Sequence, residues 1–133
     1  MAQTHPLIVI GTGLAGYSLV REFRKLNKET PVLMISRDDG HSYSKPLLST
    51  GFTKQKSADD LSMGDIGKMA SQLNVSIRNF SEVSHISPEN KEISIGSEVL
   101  AYSKLVLASG ACVNRLSFPG SELENILSIN DLM

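Results

Sequence analysis

Leu7 to Ile10 is the first apolar run, four residues with no polar break. A continuous run that short predicts a strand buried on both faces. A helix is expected over 14–27, where Ala15, Leu19, Phe23 and Leu26 recur at helical spacing and face a sheet. Arg21, Lys25 and Lys28 share another face of that helix, which reads as a solvated surface before it reads as a docking patch. Pro31 ends the connection, and Val32 to Ile35 is a second apolar strand, which completes a β-α-β unit. The polar stretch SRDDGHSYSKP follows as a loop. Ser57-Ala-Asp-Asp60 has the form of a capping box, and Asp65 is placed to cap a helix bearing Ile66, Met69, Ala70 and Leu73. Val75 to Ile77 is expected to be a short third strand.

From Glu82 to Tyr102 the apolar period falls to about two. Val83 to Ile86, Ile93 to Ile95 and Val99 to Tyr102 are separated by Pro-Glu-Asn and Gly-Ser turns, the pattern of a small antiparallel meander. Leu105 to Ala108 is another buried run, ending at Ser109-Gly110. After it the chain is irregular, with Pro119-Gly120 as a turn. The pattern implies an α/β fold: a Rossmann-like parallel sheet in the order third, second and first strands, then Leu105 to Ala108, with the meander as a crossover. No internal repeat is present.

Between the first strand and the first helix lie Gly11, Gly13 and Gly16, spaced G-x-G-x-x-G. The first glycine permits a tight turn, the second lets backbone approach a pyrophosphate, and the third lets helix and strand pack closely. An anion is favoured at the helix start, where Leu14 and Ala15 contribute N–H groups and the dipole is positive. An acidic residue is expected at the end of the second strand to bind a ribose. That place falls on Ser36 or Arg37, and Asp38 comes one or two residues late. Either Asp38 reaches back, or Ser36 and backbone hold the ribose. Arg37 is a candidate for the adenine face or a phosphate, and equally a plain surface arginine.

Composition narrows the possibilities. The 133 residues suit one compact domain, and a formal net charge of -1 argues against nucleic acid as partner. Cys112 is the only cysteine, which excludes an internal disulfide or dithiol pair, and it reads as a small apolar filler. His5, His41 and His85 are scattered, so no metal site is expected. No run approaches the ~18 apolar residues of a membrane span, and Met1 to Pro6 lacks a basic leader region. A cytoplasmic setting, with no membrane partner, is the default.

GTGLAG, SYSKPLLSTGF, KLVLASGA and INDL, taken in order, resemble the flavin-dependent NAD(P)H reductases of small electron-transfer proteins. These are the FAD-dependent pyridine nucleotide oxidoreductases that serve rubredoxin, flavorubredoxin and ferredoxin. The resemblance covers essentially the whole chain. It implies FAD in the glycine fingerprint and NADH or NADPH as substrate of the full-length protein. It puts Lys45 and Pro46 beside the isoalloxazine ring, Lys45 near N5, where a cation stabilises reduced flavin. Val83 is then expected to offer backbone to the adenine, and Ala108, Ser109 and Gly110 to pass close to the nucleotide. Two departures stand out. Thr50 replaces a lysine common in ferredoxin reductases, which favours the rubredoxin-type branch, and Ser109 replaces a common threonine. The lack of a cysteine pair argues against the disulfide-reducing branch.

In such a family the chain continues into a second glycine fingerprint for NAD(P)H, and none is present here. Residues 1–112 are therefore expected to be the N-terminal segment of an FAD-binding domain, and 113–133 a linker toward an NAD(P)H-binding domain. The parent reaction is electron transfer from NADH through FAD to rubredoxin or a similar small iron protein. The isolated segment is expected to be inactive, to hold FAD poorly, and either to self-associate through a bare strand edge or to survive only with the missing half bound. A non-redox dinucleotide-binding module or sensor is the alternative, and SYSKPLLS weighs against it because a sensor needs no cation beside a flavin ring.

Overall fold

A computed structural model of the protein describes residues 5–130. Asp131 and Leu132 of the INDL motif, and the leader residues 1–4, lie outside that range. Strand β1 is Leu7–Ile10, helix α1 is Leu14–Leu26, and strand β2 is Val32–Ile35. A two-residue strand β3, Ser42–Tyr43, precedes a 3-10 segment, Lys45–Thr50, which carries Pro46 at its start, where a missing N–H costs nothing. Helix α2 (Ala58–Leu61), strand β4 (Ser62–Gly64) and helix α3 (Ile66–Leu73) lead to strand β5, Ser76–Arg78. Strands β6 (His85–Ser87), β7 (Glu92–Ile95) and β8 (Glu98–Ala101) form the meander, and β9 is Lys104–Leu107.

The main sheet has the order β5-β2-β1-β9, as the apolar runs implied. All its pairings are parallel: Leu7 stands opposite Val32 on one side and Lys104 on the other. Its residues alternate between two cores, as a strand's period of two requires. Leu7, Val9, Val32 and Met34 face the helices, where they meet Tyr17, Val20, Met69 and Leu73. Ile8 and Ile35 face the meander and meet Ile93 and Tyr102. The result is three layers: helices, parallel sheet, antiparallel meander. Each fully buried side chain such as Ile8 or Met34 contributes about 1.5–3 kcal/mol over an exposed one.

One expectation fails. Helix α1 does not present Ala15, Leu19 and Leu26 to the sheet; all three are exposed, Leu26 to 89%. Its buried face is Gly16, Tyr17 and Val20, with Phe23 packed against them. Both sets have helical spacing, so periodicity alone does not separate them. The turn decides. A Cβ on Gly16 would collide with the Gly11 carbonyl oxygen, so Gly16 must face the strand, and that sets the rotation of the whole helix.

Elsewhere the local signals hold. Ser57 and Asp60 make the reciprocal capping box, and the Asp65 carboxylate accepts from the Lys68 N–H at 2.8 Å. The strands β5, β6, β8 and β9 sit within one or two residues of the expected runs. The β3–β4 pair was hidden within a polar loop, because two and three residues carry no period. Arg24 is a tie that the pattern does not reveal. Its guanidinium donates to the carbonyls of Leu73, Asn74, Asn27 and Thr30, joining the C-terminal ends of α1 and α3.

Tyr17 ties the other end of α1. It is 1% exposed, and its hydroxyl donates to the Gly40 carbonyl at 2.5 Å. Burial, aided by the Asp38 charge, pushes its pKa up to about 12. Because the folded value lies above the usual value near 10, this stabilisation is complete below about pH 10 and is lost as pH rises toward 12. Tyr17→Phe is expected to cost about 1–2 kcal/mol at neutral pH by leaving the Gly40 carbonyl unpaired. It should also flatten the loss of stability above pH 10, as read by denaturant unfolding at several pH values. A variant whose alkaline loss matches the wild type would remove Tyr17 as its source.

Candidate functional site

The carboxyl ends of the parallel strands open into a cavity of about 550 Å³. The turn between β1 and α1 forms its floor. Gly11 has φ +115°, which side-chain-bearing residues rarely adopt, and a Cβ there would collide with the Ala108 carbonyl. Gly13 differs, because a Cβ there meets nothing within 4 Å. No described protein atom requires glycine at that place. It caps the N-terminus of α1 without a side-chain cap and with no acidic residue in the first turn. The helix thus starts at a residue of the cavity wall with no side chain capping its first amides.

Ten of the fourteen candidate residues line this cavity: Gly11, Gly13, Ser36, Arg37, Asp38, Lys45, Val83, Ala108, Ser109 and Gly110. The other four do not. Leu14 and Ala15 are exposed in the first turn of α1, Gly16 is buried against Gly11, and Pro46 is exposed beside Lys45. Six further residues named here were not anticipated in the wall: Thr12, His41, Tyr43, Ser81, Glu82 and Asn130. Thr12 occupies a free position inside the fingerprint. Asn130 sits in INDL, whose order in the chain was a signal for a role but not for a place. His41 was set aside as scattered, yet its Nδ1 lies 3.2 Å from the Ser62 hydroxyl, where the β3–β4 pair holds it.

The end of β2 is laced together by hydroxyls and backbone. The Thr12 hydroxyl donates to Ser36 Oγ at 2.7 Å, and Ser36 donates in turn to the Asp38 carboxylate. The same carboxylate oxygen accepts from the Gly40 N–H at 3.0 Å. Backbone bonds from Phe80 to Asp38 and from Ser81 to Ser36 fasten the loop that carries Val83. Val83 packs on the meander-side core.

Lys45 lies across the cavity at the start of the 3-10 segment. Its ammonium donates to Asn130 Oδ1 at 3.2 Å, and among the described residues it has no carboxylate partner. Among the described residues, Lys45 thus enters the wall as a cation held by a neutral partner. Lys25 is paired with Glu22 in solvent, and Arg21 and Lys28 are exposed, as a solvated face requires. Cys112 is exposed on the irregular segment and not an apolar filler, because no second layer covers residues 111–118. Among the described residues no cluster of His, Cys, Asp and Glu suits a metal, and no helix is long and apolar enough to cross a membrane.

The chain is 50% identical over 129 residues to a protein named rubredoxin-NAD(+) reductase from Alcanivorax borkumensis, covering 97% of this chain and 34% of that protein. It is 42% identical to a protein of the same name from Acinetobacter baylyi, again covering 97% of this chain and 34% of the relative. The chain thus spans about a third of the length of these curated relatives. Among solved structures, NADH:rubredoxin oxidoreductase from Clostridium acetobutylicum superposes with a TM-score of 0.69 at 26% identity, covering 88% of this chain and 30% of that one. Residues 5–132 match the family model described as pyridine nucleotide-disulphide oxidoreductase, and on that match the chain belongs to this family.

Proposed function

We propose that the chain holds FAD for an NAD(P)H-dependent reductase that passes electrons to rubredoxin or a similar small iron carrier. The observation that carries the reading is Gly13. A Cβ there would meet no described protein atom within 4 Å, and Gly13 lines the cavity, so the space beside it is open to a bound group. A pyrophosphate against the uncapped helix start fits that need. The relatives named as rubredoxin-NAD(+) reductases support the electron-transfer role.

On this reading each part of the chain has a task. Gly11, Gly13 and the first-turn amides of Leu14 and Ala15 hold the pyrophosphate, with Gly16 keeping helix and strand close. Asp38, Ser36 and Arg37 take the ribose and adenine end, with Val83 beside them. Ala108, Ser109 and Gly110 are small so that backbone passes close to the nucleotide. Lys45, set by Pro46, places its ammonium where negative charge develops on reduction. When bound, the flavin supplies hydride acceptance from NAD(P)H and release of single electrons; the chain supplies position and charge. Lys45 in the cavity wall, with only the neutral Asn130 as hydrogen-bond partner among the described residues, favours this over a non-redox nucleotide module. Residues 1–112 serve as the FAD-binding segment and 113–133 as a connecting segment, which is consistent with the lack of helix or strand over 113–130. The setting proposed is a reducing cytoplasm.

Gly13→Val tests the reading directly. It should weaken FAD by roughly a hundredfold, an overpacking cost of about 3 kcal/mol, while leaving the fold intact because the space is open on the protein side. A variant that purifies with full flavin would overturn the assignment. Lys45→Met should leave FAD bound but lower the flavin potential by on the order of 30 mV, which for a two-electron couple is a tenfold loss of preference for the reduced form. An unchanged redox titration removes Lys45 from the site. Strand β9 pairs only with β1 among the described residues, and its Leu107 is 65% exposed. The 133-residue chain is therefore expected to self-associate. Sedimentation showing one monomeric species at every concentration would refute this.

A further inference from the structure

We propose that Thr12 is a positioning residue: through Ser36, its hydroxyl holds the Asp38 carboxylate at the cavity wall as acceptor for the free hydroxyls of an adenosine ribose. This rests on the FAD reading above. A carboxylate has no proton to give, so the direction of the chain is fixed. Asp38 Oδ1 accepts from Ser36, and Ser36 Oγ accepts from Thr12 at 2.7 Å. The single hydroxyl proton of Ser36 is thereby committed, and Ser36 has none left for a ligand. Of the two ways to hold a ribose, the relay selects the one in which Asp38 reaches back.

The arrangement compensates for a late acidic residue. Asp38 stands three residues beyond Ile35, the last residue of β2, in a loop where a carboxylate is ordinarily free to turn to solvent. Two internal donors, Ser36 Oγ and the Gly40 N–H, both engage Oδ1. Oδ2 has no hydrogen-bond partner among the described residues, and Asp38 lines the cavity. Thr12 and Ser36 are each 4% exposed, so water does not replace a lost member of the relay. The ligand class this suits is a nucleotide with unsubstituted ribose hydroxyls. A phosphate there would set like charges against each other.

The test compares, in the full-length protein, FAD with an analogue whose adenosine ribose lacks both hydroxyls, each titrated by flavin fluorescence. The wild type should hold FAD roughly tenfold tighter than the analogue, as hydrogen bonds to a charged acceptor imply. Thr12→Val, which removes the hydroxyl at constant shape, should reduce that preference to near unity, and Ser36→Ala should do the same. Thr12→Ser should restore it. A purely structural Thr12 would weaken both ligands equally and leave the ratio at tenfold, which overturns the proposal. So does a wild type that binds both flavins equally, although FAD binding itself then stands. A wild type that binds neither overturns the FAD reading and this inference with it.

Discussion

Everything in this structure depends on how closely three stretches of backbone approach one another behind β1. Gly11 faces the Ala108 carbonyl and Gly16 faces the Gly11 carbonyl, each at a separation that excludes a Cβ. The turn can close only with glycine at both places. Its closure sets the rotation of α1, hence which of its side chains form the helix-side core. It also brings the end of β9 against the fingerprint, so that Ser109 and Gly110 share a wall with residues a hundred positions earlier. Gly13, between these two contacts, has no protein atom within 4 Å of a Cβ position and lines the cavity.

The layers divide the work. The helix-side core is aliphatic and aromatic and carries the bare helix start. The meander-side core carries Val83 into the wall and has no helix of its own. Of the charged residues in the cavity wall, Asp38 and Lys45 are each held by neutral partners among the described residues. Pairing either with a countercharge would quench the field it projects into the cavity.

Much of this was legible in the chain. Strands β1 and β2 are continuous apolar runs and β9 is apolar after Lys104, and the sheet order followed; the run at 105–108 is not buried as expected, because β9 is an edge among the described residues and leaves Leu107 exposed. Asp65 and Ser57 announced their helices because capping is local chemistry. The phase of α1 was not legible, because Ala15-Leu19-Phe23 and Gly16-Val20-Phe23 are equally helical and only a tertiary collision separates them. Nor was the Thr12–Ser36 bond, which joins residues 24 apart through hydroxyls that are unremarkable one at a time. His41 entered the wall through a two-residue strand too short to carry any period. Local signals revealed the elements; what the elements do to each other at a distance set the details of the site.

The Arg24 guanidinium has a consequence beyond stability. Four carbonyl acceptors, drawn from both helix ends and the loop before β2, leave α1 no freedom to slide or rotate. Tyr17 pins the opposite end. On the proposed reading, the helix start at Gly13 is braced from both ends before an anion binds. Little conformational entropy remains to be surrendered on loading, so more of the contact energy appears as affinity. A side chain at the far end of the helix thereby bears on binding that it never touches, by preorganising the end that does.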